Sequence, residues 1–427
     1  MKIPLSPLIL LTPLLLSTSC STYSFRNGNS PELVSISIID RNGMTETISN
    51  EDRLKQYADV DFLTSQPYQK VLQIYERDEE GSIQSYVNSY YPNGQPKQYL
   101  EVINSRAFGS YQEWHSNGER KLLATVVGGE PDLSPSAMET WLFDGHALAW
   151  NEEGKLIADI TYCKGKLHGD SLYFHDNGKV WKKITYCNNL IENSSNIFLE
   201  NGMLLQTTRY EGGHKHGSSI RYWECGRIAA KEEYYEGSLI TGVYFDMDAN
   251  LVSEIREGNG YRAVFGKEYL SELVEFRNGV QEGEVKVFGN DRLILRTYFV
   301  KNGVKHGEEI EYYELPAIRH LPKMSINWYE NKIQGIVKTW YDNGKQESQR
   351  EMSNNKKNGI ATGWYRDGSL MLLEEYEQGK LVKGEYFRRK DRTPISTIST
   401  GEGVATIFDA DGNFIRKVNY RSGVPLG

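Results

Sequence analysis

Residues 162–189 read YCKGKLHGDSLYFHDNGKVWKKITYCNN, and this stretch ends on nearly the same letters with which it begins. The Tyr-Cys pair at 162–163 returns as Tyr-Cys at 186–187, 24 residues later. After the Asn-Gly pair that ends at Gly178, every second residue shares one face, which is the period of a strand with two distinct sides. Asn-Gly is also typical of the tight turns that join antiparallel strands. The stretch therefore predicts a repeated β-hairpin.

The same two landmarks recur through most of the chain. One landmark is an aromatic residue followed by a turn that ends in glycine, from YPNG at Gly94 to FDADG at Gly412. The glycines assigned to repeat turns are Gly169, Gly178, Gly202, Gly217, Gly226, Gly307, Gly344 and Gly368. The other landmark is a ring at the end of the next strand. We expect these rings to form an aromatic ladder along one face, and they are Tyr162, Tyr186, Tyr210, Tyr234, Phe276, Trp328, Tyr376 and Tyr420.

The spacing of the turns predicts an all-β protein in which the hairpins form one antiparallel meander. Turn dipeptides occur twice per unit, which favours the meander over a parallel solenoid with one coil per unit. A sheet of more than ~10 strands must curl, so we expect an elongated and curved ribbon. Residues 33–89 are expected to cap the array, and residues 90–427 to form it. Prolines indicate inserted loops near 128–146 and 314–323.

The N-terminus is typical of an exported protein. Residues 1–19 have one lysine, a short apolar run and small residues before Cys20, which is the pattern of a signal peptide. The segment also resembles a bacterial lipoprotein signal, which implies lipidation of Cys20. Ser21 then favours the outer membrane over the inner one, and residues 20–32 are expected to form a flexible tether. Secretion without a lipid is the alternative.

Composition and spacing favour binding over catalysis. A net charge of −8 disfavours a nucleic-acid partner, because phosphate binding requires clustered basic residues. His214 and His216 alternate on one strand, but a zinc site needs further ligands, so we predict no metal and no cofactor. The sequence shows no nucleophile elbow, phosphate-binding loop or metalloprotease helix. The protein is therefore predicted not to be an enzyme, and no catalytic residue is assigned.

The paired cysteines distinguish between the two ways of stacking the hairpins. Equivalent positions in a meander lie two strands apart, ~10 Å, whereas the Cα atoms of a disulfide lie within ~7 Å. The meander therefore predicts no bond between Cys163 and Cys187. In the solenoid the same residues are one strand apart and within reach.

Three segments have the look of a known repeat: YEGGHKHG from Tyr210, YCKGKLHG from Tyr162 and VKNGVKHG from Val300. They resemble the MORN repeat, and the spacing is similar to its bacterial variant, which includes the YwqK-type antitoxins. The resemblance implies an extended β-sheet that contacts proteins or membranes, and in YwqK-type members the neutralisation of a toxin.

We therefore expect a non-enzymatic, membrane-anchored scaffold at the bacterial envelope that binds a protein partner of unknown identity. One alternative is an antitoxin-like or immunity-like protein. Another is a protein that binds glycans or the cell wall through tryptophans near strand ends. Those tryptophans are Trp114, Trp150, Trp223, Trp340 and Trp364.

Overall fold

A computed structural model describes residues 32–318 and 320–426 of the 427-residue chain. The predicted signal peptide and the predicted lipidation site, Cys20, lie outside these residues. The chain divides into two compact units, one ending at Leu142 and the other beginning at Phe143.

The first unit is an antiparallel sheet with two short helices. Its first strand pairs with the second and the third, and each later strand pairs with the one before it. The helices are α1 (Glu51–Leu54) and α2 (Pro135–Met138), and Lys55–Tyr57 is a 3₁₀ turn. The strands are β1 (Leu33–Ile39), β2 (Thr45–Ile48), β3 (Lys70–Arg77), β4 (Ile83–Tyr90), β5 (Pro96–Ile103), β6 (Arg106–Trp114) and β7 (Arg120–Val126).

The second unit is a longer antiparallel meander in which each strand pairs with the strands before and after it. A short strand, β22, interrupts this order, because β21 pairs with both β22 and β23. The first half comprises β8 (Phe143–Trp150), β9 (Leu156–Cys163), β10 (Lys166–Phe174), β11 (Val180–Cys187), β12 (Leu190–Phe198), β13 (Leu204–Glu211), β14 (His214–Tyr222), β15 (Ile228–Tyr235), β16 (Ser238–Phe245), β17 (Leu251–Arg256), β18 (Asn259–Phe265), β19 (Leu270–Arg277) and β20 (Val280–Phe288). The second half comprises β21 (Ile294–Lys301), β22 (Val304–Lys305), β23 (Gly307–Tyr312), β24 (Pro322–Tyr329), β25 (Lys332–Trp340), β26 (Gln346–Ser353), β27 (Lys356–Trp364), β28 (Leu370–Glu377), β29 (Lys380–Phe387), β30 (Pro394–Ser399), β31 (Glu402–Phe408), β32 (Phe414–Arg421) and β33 (Val424–Pro425).

The antiparallel registers confirm the predicted meander and exclude the solenoid. Strand β10 lies between β9 and β11, so it separates Cys163 from Cys187. Both thiols are free and exposed, as is that of Cys225. None of the helices in the described part of the chain has the length and apolar content needed to cross a bilayer.

Two kinds of turn alternate along the meander. Between β10 and β11 the Gly178 N–H donates to the His175 carbonyl (2.9 Å), and Gly178 has the left-handed φ of +80° that glycine adopts without strain. Between β11 and β12 only Asn188 and Asn189 separate the strands, with φ of 49° and 73°. Two consecutive positive φ values define the type I′ turn, whose twist matches that of the strands. Asparagine tolerates this backbone, which explains why it replaces glycine here.

Three of the predicted turn glycines, Gly169, Gly217 and Gly307, lie in strands instead of turns. Opposite β9, the register of β10 shifts between Leu167 and Ser171, so Gly169 sits in a bulge. A residue with a positive φ can lie in a bulge or in a turn, and the sequence alone does not distinguish between these two positions.

The expected boundary of the array at residue 90 falls at the end of a strand. Tyr90 is the last residue of β4, which pairs with β3 on one side and with β5 on the other. The two units meet between Leu142 and Phe143, inside the first expected loop, which carries α2. The second expected loop lies between β23 and β24 and carries the 3₁₀ turn Pro316–Ile318.

The second unit curls tightly at two places. Trp223 follows β14 and Phe265 ends β18, four strands further on, yet their ring centroids are 4.8 Å apart. Four strand spacings in a flat sheet would be ~19 Å. Tyr365 and Phe408 make the equivalent contact at 6.4 Å, 142 and 143 residues further along the chain. We name the segment 217–279 the first curl and the segment 359–423 the second curl.

Candidate functional site

The predicted ladder residues share one structural position. Each lies directly across from a residue of the preceding strand that has a positive φ, which is glycine in seven cases and Asn193 in one. A glycine leaves room beside the ring because it lacks a Cβ atom. The pairs are Gly145–Tyr162, Gly169–Tyr186, Asn193–Tyr210, Gly217–Tyr234, Gly260–Phe276, Gly307–Trp328, Gly359–Tyr376 and Gly403–Tyr420.

We call the side of the sheet that carries these rings the ladder face. Tyr234 and Tyr376 are buried, and the other six ladder residues are half-buried. Burial raises the pKa of Tyr186, and the neighbouring hydroxyls of Tyr173, Tyr162 and Tyr210 raise it further. Around Tyr186 the ladder face is therefore a surface of partly exposed rings whose hydroxyls lie near one another.

Alkaline titration should reveal the burial of two tyrosines outside the ladder, Tyr341 and Tyr365, which follow β25 and β27. Burial raises the pKa of Tyr341 and of Tyr365 to about 12, whereas an unfolded tyrosine ionises near 10. Above pH 10 the unfolded chain loses protons that the folded chain retains, so stability should fall as pH rises from that value. Tyrosinate absorbance, compared with that of the urea-unfolded chain, should lag by about two pH units for these groups. Coincident titration curves would contradict this burial.

The first curl encloses a carboxylate on the ladder face. Glu232 is 4% exposed and lies across from Gly242, whose missing side chain leaves room for the ring of Tyr244. The Tyr244 hydroxyl donates to Glu232 Oε1 (2.9 Å), and the Tyr234 hydroxyl donates to Oε2 (3.0 Å). Arg262 reaches across from β18 and donates from Nε to Oε1 at 2.7 Å.

These contacts account for the ionisation of the cluster. Burial alone would raise the pKa of Glu232, but the Arg262 guanidinium and the two tyrosine hydroxyls outweigh it and hold the pKa below its ordinary value. A second guanidinium, that of Arg221, fills the adjacent space and donates from Nη2 to the Gly266 carbonyl at 3.2 Å. The first curl thus pairs its buried carboxylate directly with one arginine of its own chain.

The second curl repeats the carboxylate and both hydroxyls. Glu374 is 8% exposed and lies across from Gly384. The Tyr386 hydroxyl donates to Oε1 (2.8 Å), and the Tyr376 hydroxyl donates to Oε2 (3.0 Å). These distances match those around Glu232 within 0.1 Å.

Both arginines of the first curl are absent from the second. Gly363, across from Leu372, occupies the position of Arg221, which lies across from Ala230. Ala405 occupies the position of Arg262, since each comes two residues after the glycine that faces a ladder ring. A cleft of about 440 Å³ opens beside Glu374. Residues on its wall include Arg350, Lys357, Ala361, Gly363 and Phe408.

A protein-family model for a MORN repeat variant matches residues 167–188. This segment is similar to one MORN repeat variant. The matched residues cover most of β10, the Gly178 turn and β11, and they include the facing pair Gly169 and Tyr186. The matched segment thus contains one of the glycine–ring pairs that recur along the ladder face.

Comparison with solved structures adds no functional information. The crystal structure of TcdB2-TccC3-TEV is 13% identical, with a TM-score of 0.15, and the match covers 90% of this chain and 24% of that one. The crystal structure of TcdB2-TccC3 without its hypervariable C-terminal region is 11% identical, with a TM-score of 0.12 and coverage of 83% and 23%. The chain therefore spans about a quarter of the length of either structure. No curated protein matches the chain.

The structure also places the remaining residues that the sequence singled out. Of the five tryptophans considered for sugar stacking, Trp223 is buried and the other four are half-buried. Trp181, outside that set, is 45% exposed. His216 lies 3.6 Å from the Glu211 carboxylate and packs against the ring of Tyr235. Within the described ranges, no three His, Cys, Asp or Glu side chains are grouped as metal ligands.

The sequence reading missed the buried carboxylates. The segments EEYYEG at 232–237 and EEYEQG at 374–379 place a glutamate two residues before the ladder ring, where the strands ending at Tyr162 and Tyr186 have isoleucine. An alignment of the units would have shown this exception to the apolar pattern. It would not have shown that Arg262, three strands away, reaches one glutamate and that the other has no such partner.

Proposed function

We propose that this protein is a non-enzymatic scaffold that binds a protein partner on the ladder face while a lipid on Cys20 anchors it to the bacterial envelope, on the outer membrane. One observation carries the binding proposal: rows of half-buried rings lie on one face of a long meander sheet. Tyrosine and tryptophan rings offer apolar area together with a polar edge, and they are enriched in protein interfaces.

The hydrogen bonds within the ladder face also support a binding role. The carboxylate and both hydroxyls of the Tyr234–Glu232–Tyr244 cluster, which lie deep in the ladder face, are satisfied within the sheet. A partner that covers this cluster does not have to satisfy those atoms, whose burial without partners would cost ~1–3 kcal/mol each. The similarity to YwqK-type antitoxins, and the toxin-neutralising role that it implies, stay predictions.

The binding face can be tested by crosslinking in living cells. Tyr186 lies on the ladder face of β11. Phe299 is 42% exposed on the opposite face of β21, because its neighbour Val300 lies across from Gly283 as the ladder rings lie across from a glycine. A photoreactive phenylalanine derivative at position 186 should give a discrete protein adduct, and the same residue at position 299 should not. Both substitutions keep an aromatic ring, so folding is preserved. Identical adducts from the two positions would refute binding through the ladder face.

The anchor is tested separately by metabolic labelling with a clickable fatty acid. The parent chain should become labelled, and Cys20→Ser should abolish the label, because the thiol is the atom that would be acylated. Cys225→Ser provides the control, since that exposed thiol lies far along the chain and its loss should not alter labelling. Equal labelling of Cys20→Ser and the parent would show that Cys20 is not lipidated.

A further inference from the structure

Three buried glutamates lie on the ladder face of the second unit, and two of them have a cationic partner. Glu232 accepts from Arg262 Nε at 2.7 Å, and Glu309 accepts from Lys305 Nζ at 2.6 Å. Glu374 accepts only from the hydroxyls of Tyr376 and Tyr386, and no other described residue makes an ion pair with it within 4.0 Å. Burial lowers the pKa of Lys357 and the nearby charge of Glu374 opposes that shift, so the two groups interact without touching. A buried carboxylate with no cation in direct contact is costly, and Glu374 is the exception among the three in this respect.

The space for a counter-charge is present at Glu374. A carboxylate has about four lone-pair sites, and the two tyrosines occupy two of them. Leu372, which replaces Ala230 of the first curl, packs on Gly363 and takes up part of the volume that the arginines leave. A cleft of about 440 Å³ nevertheless remains, with Glu374 on its wall.

We propose that this cleft binds the guanidinium group of an arginine side chain from the protein partner, placed against Glu374 as Arg262 is placed against Glu232. The proposal deepens the proposed scaffold function and rests on it only for the source of the arginine. The first curl provides the template, because it holds a guanidinium on the same carboxylate between the same two tyrosines.

The cations already in the cleft are compatible with this occupant. Lys357 donates to the Tyr376 hydroxyl (3.1 Å) and lies 4.3 Å from the centroid of that ring. Its counterpart Lys215 lies 4.7 Å from the Tyr234 centroid, in the same cluster that holds Arg262. A lysine in this position therefore coexists with a bound guanidinium.

Arg350 is the one cation of the cleft that lacks a counterpart in the first curl. Its position across from Ala361 corresponds to that of Thr208 across from Ser219. Its like charge opposes the incoming guanidinium and should weaken binding without preventing it. The wall also offers Phe408, on whose ring a planar guanidinium can stack in a way that an ammonium group cannot.

The test is calorimetric titration of the purified full chain with blocked amino acids. N-acetyl-arginine amide should bind, whereas N-acetyl-citrulline amide, which has the same shape without the charge, should bind at least about tenfold more weakly. Glu374→Gln should weaken arginine binding to a similar extent. Glu232→Gln is the matched control and should leave it unchanged, because Arg262 already fills that site. Arg350→Thr, which restores the residue of the first curl, should tighten binding.

A second variant keeps the test decisive if Glu374→Gln folds poorly. Ala410→Phe places a ring at the mouth of the cleft, and the backbone bond from Arg366 N–H to the residue 410 carbonyl is retained. This variant should also abolish arginine binding. Equal binding of arginine and citrulline, no binding of arginine, or preferential binding of N-acetyl-glutamate amide would overturn the proposal. The crosslinked partner at position 186 would be unaffected by such a failure, so the scaffold role is judged independently.

Discussion

Replacing Arg262 by methionine is expected to lower the free energy of unfolding by about 3 kcal/mol, near the lower end of the cost of removing one partner from a buried ion pair. Methionine keeps most of the length and apolar volume of the arginine, so the loss is mainly electrostatic. Glu232 would stay buried between two tyrosine hydroxyls without a cation bonded to it. Urea unfolding followed by tryptophan fluorescence measures the change.

A double variant isolates the ion pair in this experiment. Glu232→Gln combined with Arg262→Met removes both charges, and it should be more stable than Arg262→Met alone because no unpaired charge is left buried. A single variant within about 0.5 kcal/mol of the parent would show that the pair contributes no more than an ordinary surface contact.

The Arg262→Met variant should also change how the free energy of unfolding depends on pH. The pKa of Glu232 is lower in the folded protein than its ordinary value of 4.5, so the unfolded chain binds the proton first as the pH falls. The stabilisation that results is present above pH 4.5 and is lost as the pH falls through the folded pKa. The stability difference between the parent and Arg262→Met should therefore shrink as the pH falls, because protonation of Glu232 removes the charge that Arg262 neutralises.

Gly258→Ala is expected to destabilise the first curl strongly. Gly258 has a φ of +77°, and a Cβ atom there would lie 2.4 Å from the backbone nitrogen of Gly279. The left-handed backbone adds about 1–2 kcal/mol for alanine, and relief of the overlap adds a further ~1–3 kcal/mol. Neither backbone can retreat easily, because the Gly279 N–H donates to the Gly258 carbonyl at 2.9 Å.

Gly178→Ala supplies the matched control for the backbone effect. Gly178 has a φ of +80°, and a Cβ atom added there would meet no neighbouring atom within 4 Å. Its substitution should cost only the left-handed backbone, about 1–2 kcal/mol. Gly401→Ala should resemble Gly258→Ala, since its Cβ atom would lie 2.5 Å from the Gly423 nitrogen. Equal losses at Gly258 and Gly178 would mean that the contacts between turns do not tighten the curl.

The repeat could be predicted because its signals are local. The alternation up to Tyr186 and the Asn-Gly turn at Gly178 each depend on a few neighbouring residues, and the structure has the strands and turns that they imply. Gly169 was harder to place, because positive φ serves a bulge as well as a turn. The glycine predicts a positive φ at residue 169, but it does not predict whether that residue lies in a turn or in a bulge.

The curls and the carboxylates could not be predicted in this way. Arg262 reaches Glu232 only because the sheet bends enough to bring Trp223 against Phe265, and that bend depends on contacts between strands far apart in sequence. Ala405 is an ordinary small residue in the sequence. Its significance comes from comparison with Arg262 in a second copy of the same structure.

The simple strand order of the second unit has a consequence for how such proteins diverge. Between the two curls, each strand from β24 to β26 is hydrogen-bonded only to its immediate neighbours in sequence. Deletion or duplication of one hairpin there would shorten or lengthen the span between Glu232 and Glu374 by ~10 Å and leave the bonding of both curls intact. A change in the number of hairpins can thus alter the distance between the two carboxylates in fixed steps, without changing the residues that surround either one.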